Sequence, residues 1–300
     1  IILFKFIYFT FTKSLLKIGA YDVVSIQTGR FALDGGAMFG VVPRVLWQRH
    51  IAPDEKHRIP MALRSLLIQG EGRMILVDTG VGETKWSDKE RSIYGIDHSE
   101  HDLACALGAH GVTPSDITDV ILTHLHFDHA GGATTALADG TLVPTFENAT
   151  YYLQRRNLAW AEHPTEKDQA SYLERDFGPI IARDQLRLLD AGDALPFEGI
   201  ELELSDGHTE GQQLPRISDG ARTVQYCGDL IPTSVHVPIP WVMGYDIRPL
   251  QTMEEKKSLL CRAVDEDWIL AYEHDPSLAA TRVVETERGF AAGPVVELAR

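Results

Sequence analysis

Residues 123–132 read THLHFDHAGG, placing His124, His126, Asp128 and His129 within six positions. Imidazoles and a carboxylate crowded together in this way gain little from packing. They gain much from sharing a cation, because each offers a lone pair suited to Zn²⁺ or a neighbouring first-row metal. Four donors cannot complete two metal shells, so more are expected elsewhere in the chain. Three stretches supply them: SDGHTEG with His208, YCGDL with Asp229 and AYEHD with His274. Each donor follows a strand-like apolar run, so all three can gather at one edge of a sheet.

The elements that must position these groups follow from the pattern. DVILTH reads as a buried strand and AGGATTALAD as a helix, with the His/Asp cluster in the loop between them. In extended backbone His124 and His126 project to one side, while Gly131 and Gly132 permit a tight bend. Further strand runs are YDVVSIQTG, ALRSLLIQG, RMILVDTG, TYYLQ, IELELSDG, TVQYCGD, WILAYEHD and TRVVET. TPSDITD offers Thr113 as a helix cap with Pro114 in the first turn. TMEEKKSLLCRAVDEDW offers Thr252 as a cap, with Leu259, Leu260 and Ala263 on its apolar stripe. Runs of strands with helices interposed later in each half suit two packed sheets flanked by helices.

Composition narrows the function. The 300 residues are 44% apolar and 24% charged, ordinary for a globular chain, and carry a formal net charge of −15. No basic run is present, which argues against a nucleic-acid partner and leaves a small-molecule substrate. Cys105, Cys227 and Cys261 are odd in number and widely spaced, so they suggest neither a disulfide framework nor a thiolate metal site. Residues 1–16 are read as an apolar extension, too short for a stable membrane span, ahead of a single domain over 17–300. The expected setting is cytoplasmic, with export or membrane association through residues 1–16 as the alternative; a homodimer is compatible with this reading.

THLHFDHAGG, DGHTEG, CGDL and AYEHD in this order, with MILVDTG upstream, resemble the metallo-β-lactamase superfamily over roughly residues 18–290. The resemblance implies an α+β fold, a four-layer αββα sandwich, with a dinuclear metal site at one edge. It implies that His124, His126 and His208 hold one divalent ion, that Asp128, His129 and His274 hold the other, and that Asp229 bridges them. Zn²⁺ is the expected metal for five imidazoles and two carboxylates, with Mn, Fe or Co as substitutes. Asp78, at the end of MILVDTG, would orient a ligand imidazole. A hydroxide shared by the two ions would be the nucleophile, with Asp128 handling its proton.

Departures within the superfamily point to the substrate. True two-zinc β-lactamases carry Arg where His129 stands and Cys where Asp229 stands. Glyoxalase II-like thioesterases add a helical C-terminal region, and flavodiiron proteins append a flavin domain. The branch that remains resembles acyl-homoserine lactone lactonases and methyl parathion hydrolase-like enzymes. Quorum-quenching lactonases place Tyr three residues after the bridging Asp; here that position is Pro232. His236 is therefore expected as proton donor to the leaving group. Met38 and Phe39, in FALDGGAMFGVVP, are expected to wall an apolar pocket beside the metals, with Trp241 and Met243 opposite. The expected activity is hydrolysis of an apolar ester-like substrate, lactone first, with phosphotriesters and thioesters as alternatives. A di-iron redox or sensing protein of the same fold is the reading from a different class.

Overall fold

The computed structural model describes residues 16–298, so the expected extension over 1–16 lies, apart from Leu16, outside the described residues. The first half of the chain forms β1 (Leu16–Ile18), β2 (Tyr21–Asp34), β3 (Arg58–Gly70), β4 (Arg73–Val77), β5 (Asp119–Ile121), β6 (Thr134–Ala136), β7 (Leu142–Pro144), β8 (Thr150–Gln154) and β9 (Leu186–Leu189). The second half forms β10 (Ile200–Ser205), β11 (Gln212–Ser218), β12 (Thr223–Tyr226), β13 (Ile269–Ala271), β14 (Ala280–Thr286) and β15 (Gly289–Val295). One sheet runs β1-β2-β3-β4-β5-β8-β9, a second runs β10 through β15 in order, and β6 pairs with β7 apart from both.

The strands are apolar on both faces because both faces are covered. Along β2 and β3, Val23, Leu66 and Ile68 pack between the sheets against Ile217, Val224 and Ile269 of the second sheet. Their neighbours Val24, Ile26 and Leu67 point the other way, onto Leu103 and Leu107 of the helix Leu103–Gly108. That is the period-two alternation of a pleated strand. On the far side, Leu214, Leu270 and Tyr272 meet Leu259, Leu260 and Ala263 of the helix Pro249–Asp265. Four layers result, helix on sheet on sheet on helix. The expected αββα sandwich is the observed architecture.

Strand direction explains where the chemistry collects. β4 pairs parallel with β5, and β12 pairs parallel with β13. β10 is antiparallel to β11, which is antiparallel to β12, so β10 also runs in the direction of β12. Parallel strands end at a common edge. The residues just beyond β4, β5, β10, β12 and β13 are Asp78, Thr123–His124, Gly207–His208, Asp229 and Glu273–His274.

Two local expectations are corrected. No helix spans 130–139; a single turn over Phe127–Ala130 passes into a 3-10 turn, Gly131–Ala133, and then into the β6–β7 hairpin. The two glycines serve close approach more than bending, since a Cβ on Gly132 would collide with the Thr79 carbonyl and one on Gly131 with Val81. The long C-terminal helix starts at Pro249, three residues before Thr252, because proline at the first helical position needs no amide partner.

Candidate metal centre

The imidazoles of His124, His129, His208 and His274 are held from Nδ1, whereas Nε2 of His126 makes no hydrogen bond among the described residues. Asp78 accepts from the Thr123 backbone N–H and hydroxyl, both at 2.7 Å, and lies 3.0 Å from Nδ1 of His129. It stands at φ +54, a left-handed conformation that Asp tolerates better than most residues, and its side chain is fully buried. His208 Nδ1 lies 3.0 Å from the Asp246 carboxylate, and His274 Nδ1 donates to the Ala62 carbonyl at 3.0 Å. With Nδ1 committed, Nε2 of each ring is left to face inward.

What the inward nitrogens face is one another. His124 Nε2 is 3.0 Å and His208 Nε2 3.1 Å from Nδ1 of His126, and His274 Nε2 is 3.3 Å from Nε2 of His129. Rings whose outer N–H is already donated present lone pairs inward, and lone pairs at these distances repel unless a cation lies among them. The ligand atoms of His124, His126, His208 and Asp229 lie within 4.8 Å of one another, as do those of Asp128, His129, Asp229 and His274. Asp229 belongs to both groups: Oδ2 is 3.1 Å from His208 Nε2, and Oδ1 is 3.2 Å from His274 Nε2. The donor set fits a pair of divalent cations. The seven expected ligands are brought to one place.

Protons compete with a cation for these lone pairs. Burial, then the neighbouring imidazoles, hold His124 and His126 well below the ordinary imidazole range. Burial also pulls on His208 and His274, but the Asp229 carboxylate outweighs it, and both are pushed up to about 9. Burial opposes ionisation of Asp229, yet His129, His208 and His274 together hold it well below the usual carboxylate range.

A match to the family model described as the metallo-beta-lactamase superfamily covers residues 64–274, which spans every one of these donors. The chain belongs to the metallo-β-lactamase superfamily. Among its relatives, a "Probable metallo-hydrolase" of Mycobacterium tuberculosis is 25% identical over 254 residues, covering 73% of this chain and 76% of that protein. The N-acyl homoserine lactonase AttM of Azorhizobium caulinodans is 31% identical over 106 residues, covering 34% of this chain and 36% of the lactonase. The solved structure of a "probable metal-dependent hydrolase" from Staphylococcus aureus matches with a TM-score of 0.85 at 28% identity, over 94% of this chain and 99% of that one. The dizinc quorum-quenching lactonase AidC shares the fold, with a TM-score of 0.76 at 22% identity over 95% and 97% of the two chains. The protein is thus a hydrolase of a superfamily whose members bind divalent metals. Among the described residues, no helix is long and apolar enough to cross a membrane.

The superfamily centre opens into a cavity of about 280 Å³ whose floor includes His126, Asp128, His208, Asp229 and His274. Its walls are apolar and aromatic, with Met38, Met61, Tyr94, Phe127, Met243 and Tyr245 among them. Met38 is therefore where the sequence reading puts it. Phe39 is not: it is wholly buried behind the wall, stacked between His236 at 4.6 Å and Trp47 at 5.3 Å. Trp241 packs edge-on against Phe39, behind Met243. His236 is also outside the cavity. Its Nε2 donates to the Met38 carbonyl at 2.8 Å, and its Nδ1 accepts from the Thr233 hydroxyl at 2.7 Å. Burial pulls it down to about 4, so the ring is neutral and fixes the wall instead of facing a substrate.

Two carboxylates near the centre carry no sequence signal of comparable strength. Asp246 orients His208 and also accepts from the Met243 amide at 3.3 Å. Glu273 lies 2.8 Å from Nδ1 of His129, on the same nitrogen as Asp78. One N–H cannot serve both; burial pushes Glu273 up to about 8, leaving Asp78 as the acceptor. Position offers a hint for Glu273, next to His274 in AYEHD, and none for Asp246. Replacing Asp246 with Ala is expected to weaken metal binding by about 10–100-fold while the fold persists. Competition against a chromogenic chelator, alongside circular dichroism, measures both.

Proposed function

We propose that the protein is a dinuclear metal-dependent hydrolase of apolar ester-like substrates, with lactones of the acyl-homoserine type first. The observation that carries this reading is the single carboxylate of Asp229 shared by two donor groups at the floor of an apolar cavity. His124, His126, His208 and Asp229 would hold one cation, and Asp128, His129, His274 and Asp229 the other. Bound there, a divalent pair supplies Lewis acidity to the scissile carbonyl and acidifies water near neutral pH. Zinc suits a set of five imidazoles and two carboxylates, and the Cys227 thiol, two residues before Asp229, stays outside it: it faces the Gln225 carbonyl, and burial pushes its pKa up.

The chain's own groups do the remaining work. Asp128 is a floor residue of the cavity and 7% exposed, so its carboxylate is placed to take a proton from the attacking water. Met38, Met61, Phe127 and Met243 bury an aliphatic chain and exclude competing water, which favours acyl substituents over charged sugars. N-acyl homoserine lactonases are among the relatives, which supports this choice of substrate.

The test is a panel of acyl lactones, alkyl esters, thioesters and phosphotriesters, assayed on protein whose metal content is measured in the same sample. Two equivalents of zinc with lactone turnover is the expected result. Turnover restricted to thioesters or phosphotriesters would reassign the substrate. Iron with a colour change on reduction and no hydrolysis would overturn the reading.

A further inference from the structure

Ester cleavage builds negative charge on the oxygen that departs, and a fixed donor aimed at that oxygen lowers the barrier. His236 cannot be that donor, because both its nitrogens are engaged behind the wall. Lys167 lies at the cavity, but its ammonium is turned onto the backbone, donating to the Tyr245 and Asp246 carbonyls at 2.7 and 2.8 Å, and serves as a support. The long-reaching hydroxyls on the cavity wall are two phenols, Tyr94 and Tyr245, beside the short side chain of Ser171.

Their surroundings separate them. Tyr94 ends the helix Asp88–Tyr94 and is locked in an aromatic cluster, its ring 4.8 Å from Phe127 and 5.9 Å from Trp86. Tyr245 instead stands between Met243, on the cavity wall, and Asp246, which holds His208. The Tyr245 hydroxyl makes no hydrogen bond among the described residues, although the residue is partly buried against the cavity.

The backbone under Tyr245 is fixed at every step. Lys167 grips its carbonyl and the next one; Asp246 joins the Met243 amide to His208; and Gly244 donates to the Ala37 carbonyl at 2.8 Å. So constrained a turn fixes the point from which the phenol extends into the cavity, which a catalytic donor requires.

We propose that the Tyr245 hydroxyl is a catalytic residue that donates a hydrogen bond to the leaving-group oxygen of the substrate, positioned by Lys167 and by the Asp246 turn. The inference rests on the hydrolase reading above. The phenol keeps its proton and acts by hydrogen bonding alone; the proton that the departing alkoxide gains is the one Asp128, on the same cavity floor, took from the attacking water.

The experiment compares Tyr245→Phe with the parent enzyme on two series of esters with one acyl group, with alkoxide and with p-nitrophenolate leaving groups. Metal content and melting temperature are read on the same samples. The expected result is a loss in kcat of about 100-fold on alkyl esters and lactones but only a few-fold on nitrophenyl esters, whose leaving group needs no donor. Both metals and the melting temperature stay at parent values, and Tyr94→Phe shows no such dependence on leaving group. An equal loss on both series, or loss of metal, makes Tyr245 a structural residue and overturns the proposal; so does an unchanged kcat. If the parent hydrolyses none of these substrates, the hydrolase reading fails and this inference fails with it. Parent turnover with a flat response to Tyr245→Phe sinks the inference alone.

Discussion

Asp229→Ala is expected to strip both cations and reduce hydrolysis by at least about a thousandfold, the larger part of what a metal pair contributes. The reasoning is geometric. Oδ2 of Asp229 is 3.1 Å from His208 Nε2 and 3.4 Å from His129 Nε2, while Oδ1 is 3.2 Å from His274 Nε2. No other donor is common to the two groups that could hold a metal around His124 and His274. Removing it takes each group from four donors to three, and it also removes the charge that offsets two cations facing each other at close range. Asp229→Asn keeps the shape and one acceptor oxygen but loses that charge, so it should retain part of the metal and little of the rate. Elemental analysis of dialysed protein, beside an ester assay, decides the point. Two equivalents of metal bound to Asp229→Ala at parent affinity would end the bridging assignment.

The convergence of the candidate donors is legible in the sequence because residue type and strand end coincide there. His124, His208, Asp229 and His274 each follow a short apolar run, and those runs become β5, β10, β12 and β13, whose shared direction carries their ends to one edge. The four layers are legible for a related reason: strands buried on both faces lose polar alternation, as Leu66, Leu67 and Ile68 show. What escapes reading is whatever depends on contact between distant segments. Asp246 earns its place only because the loop before Pro249 folds back over His208. Phe39 and His236 look like pocket residues in one dimension, yet they stack on each other from distant parts of the chain, with the wall in front of them. The segment after the motif, ATTALAD, has helical composition, but Gly131 and Gly132 lie so tightly against Thr79 and Val81 that the chain leaves as a hairpin. Tertiary contact overrides local propensity there.

That tight contact is secured by a buried ion pair, and breaking it is the largest stability effect expected. Lys85 donates to the Gly131 carbonyl and the Thr134 hydroxyl, both at 2.6 Å, and to the Asp176 carboxylate. The Lys85 side chain is 1% exposed and that of Asp176 is fully buried. Burial pulls the lysine down and pushes the aspartate up, so each ion depends on the other to remain charged. Lys85→Met fills the space but leaves Asp176 uncompensated, with its second oxygen already lacking a partner, and it orphans the Gly131 carbonyl. Removing one member of such a pair costs about 3–5 kcal/mol. In a chain of this size that lowers the melting temperature by about 10 °C. The double variant Lys85→Met with Asp176→Leu should recover most of the loss, because two apolar groups in place of two ions forfeit the attraction and the desolvation penalty together. Calorimetry on the metal-loaded proteins separates these outcomes. A single variant as stable as the parent would mean that Asp176 finds another partner or takes up a proton, and that the loop behind His129 is held by its glycine contacts alone.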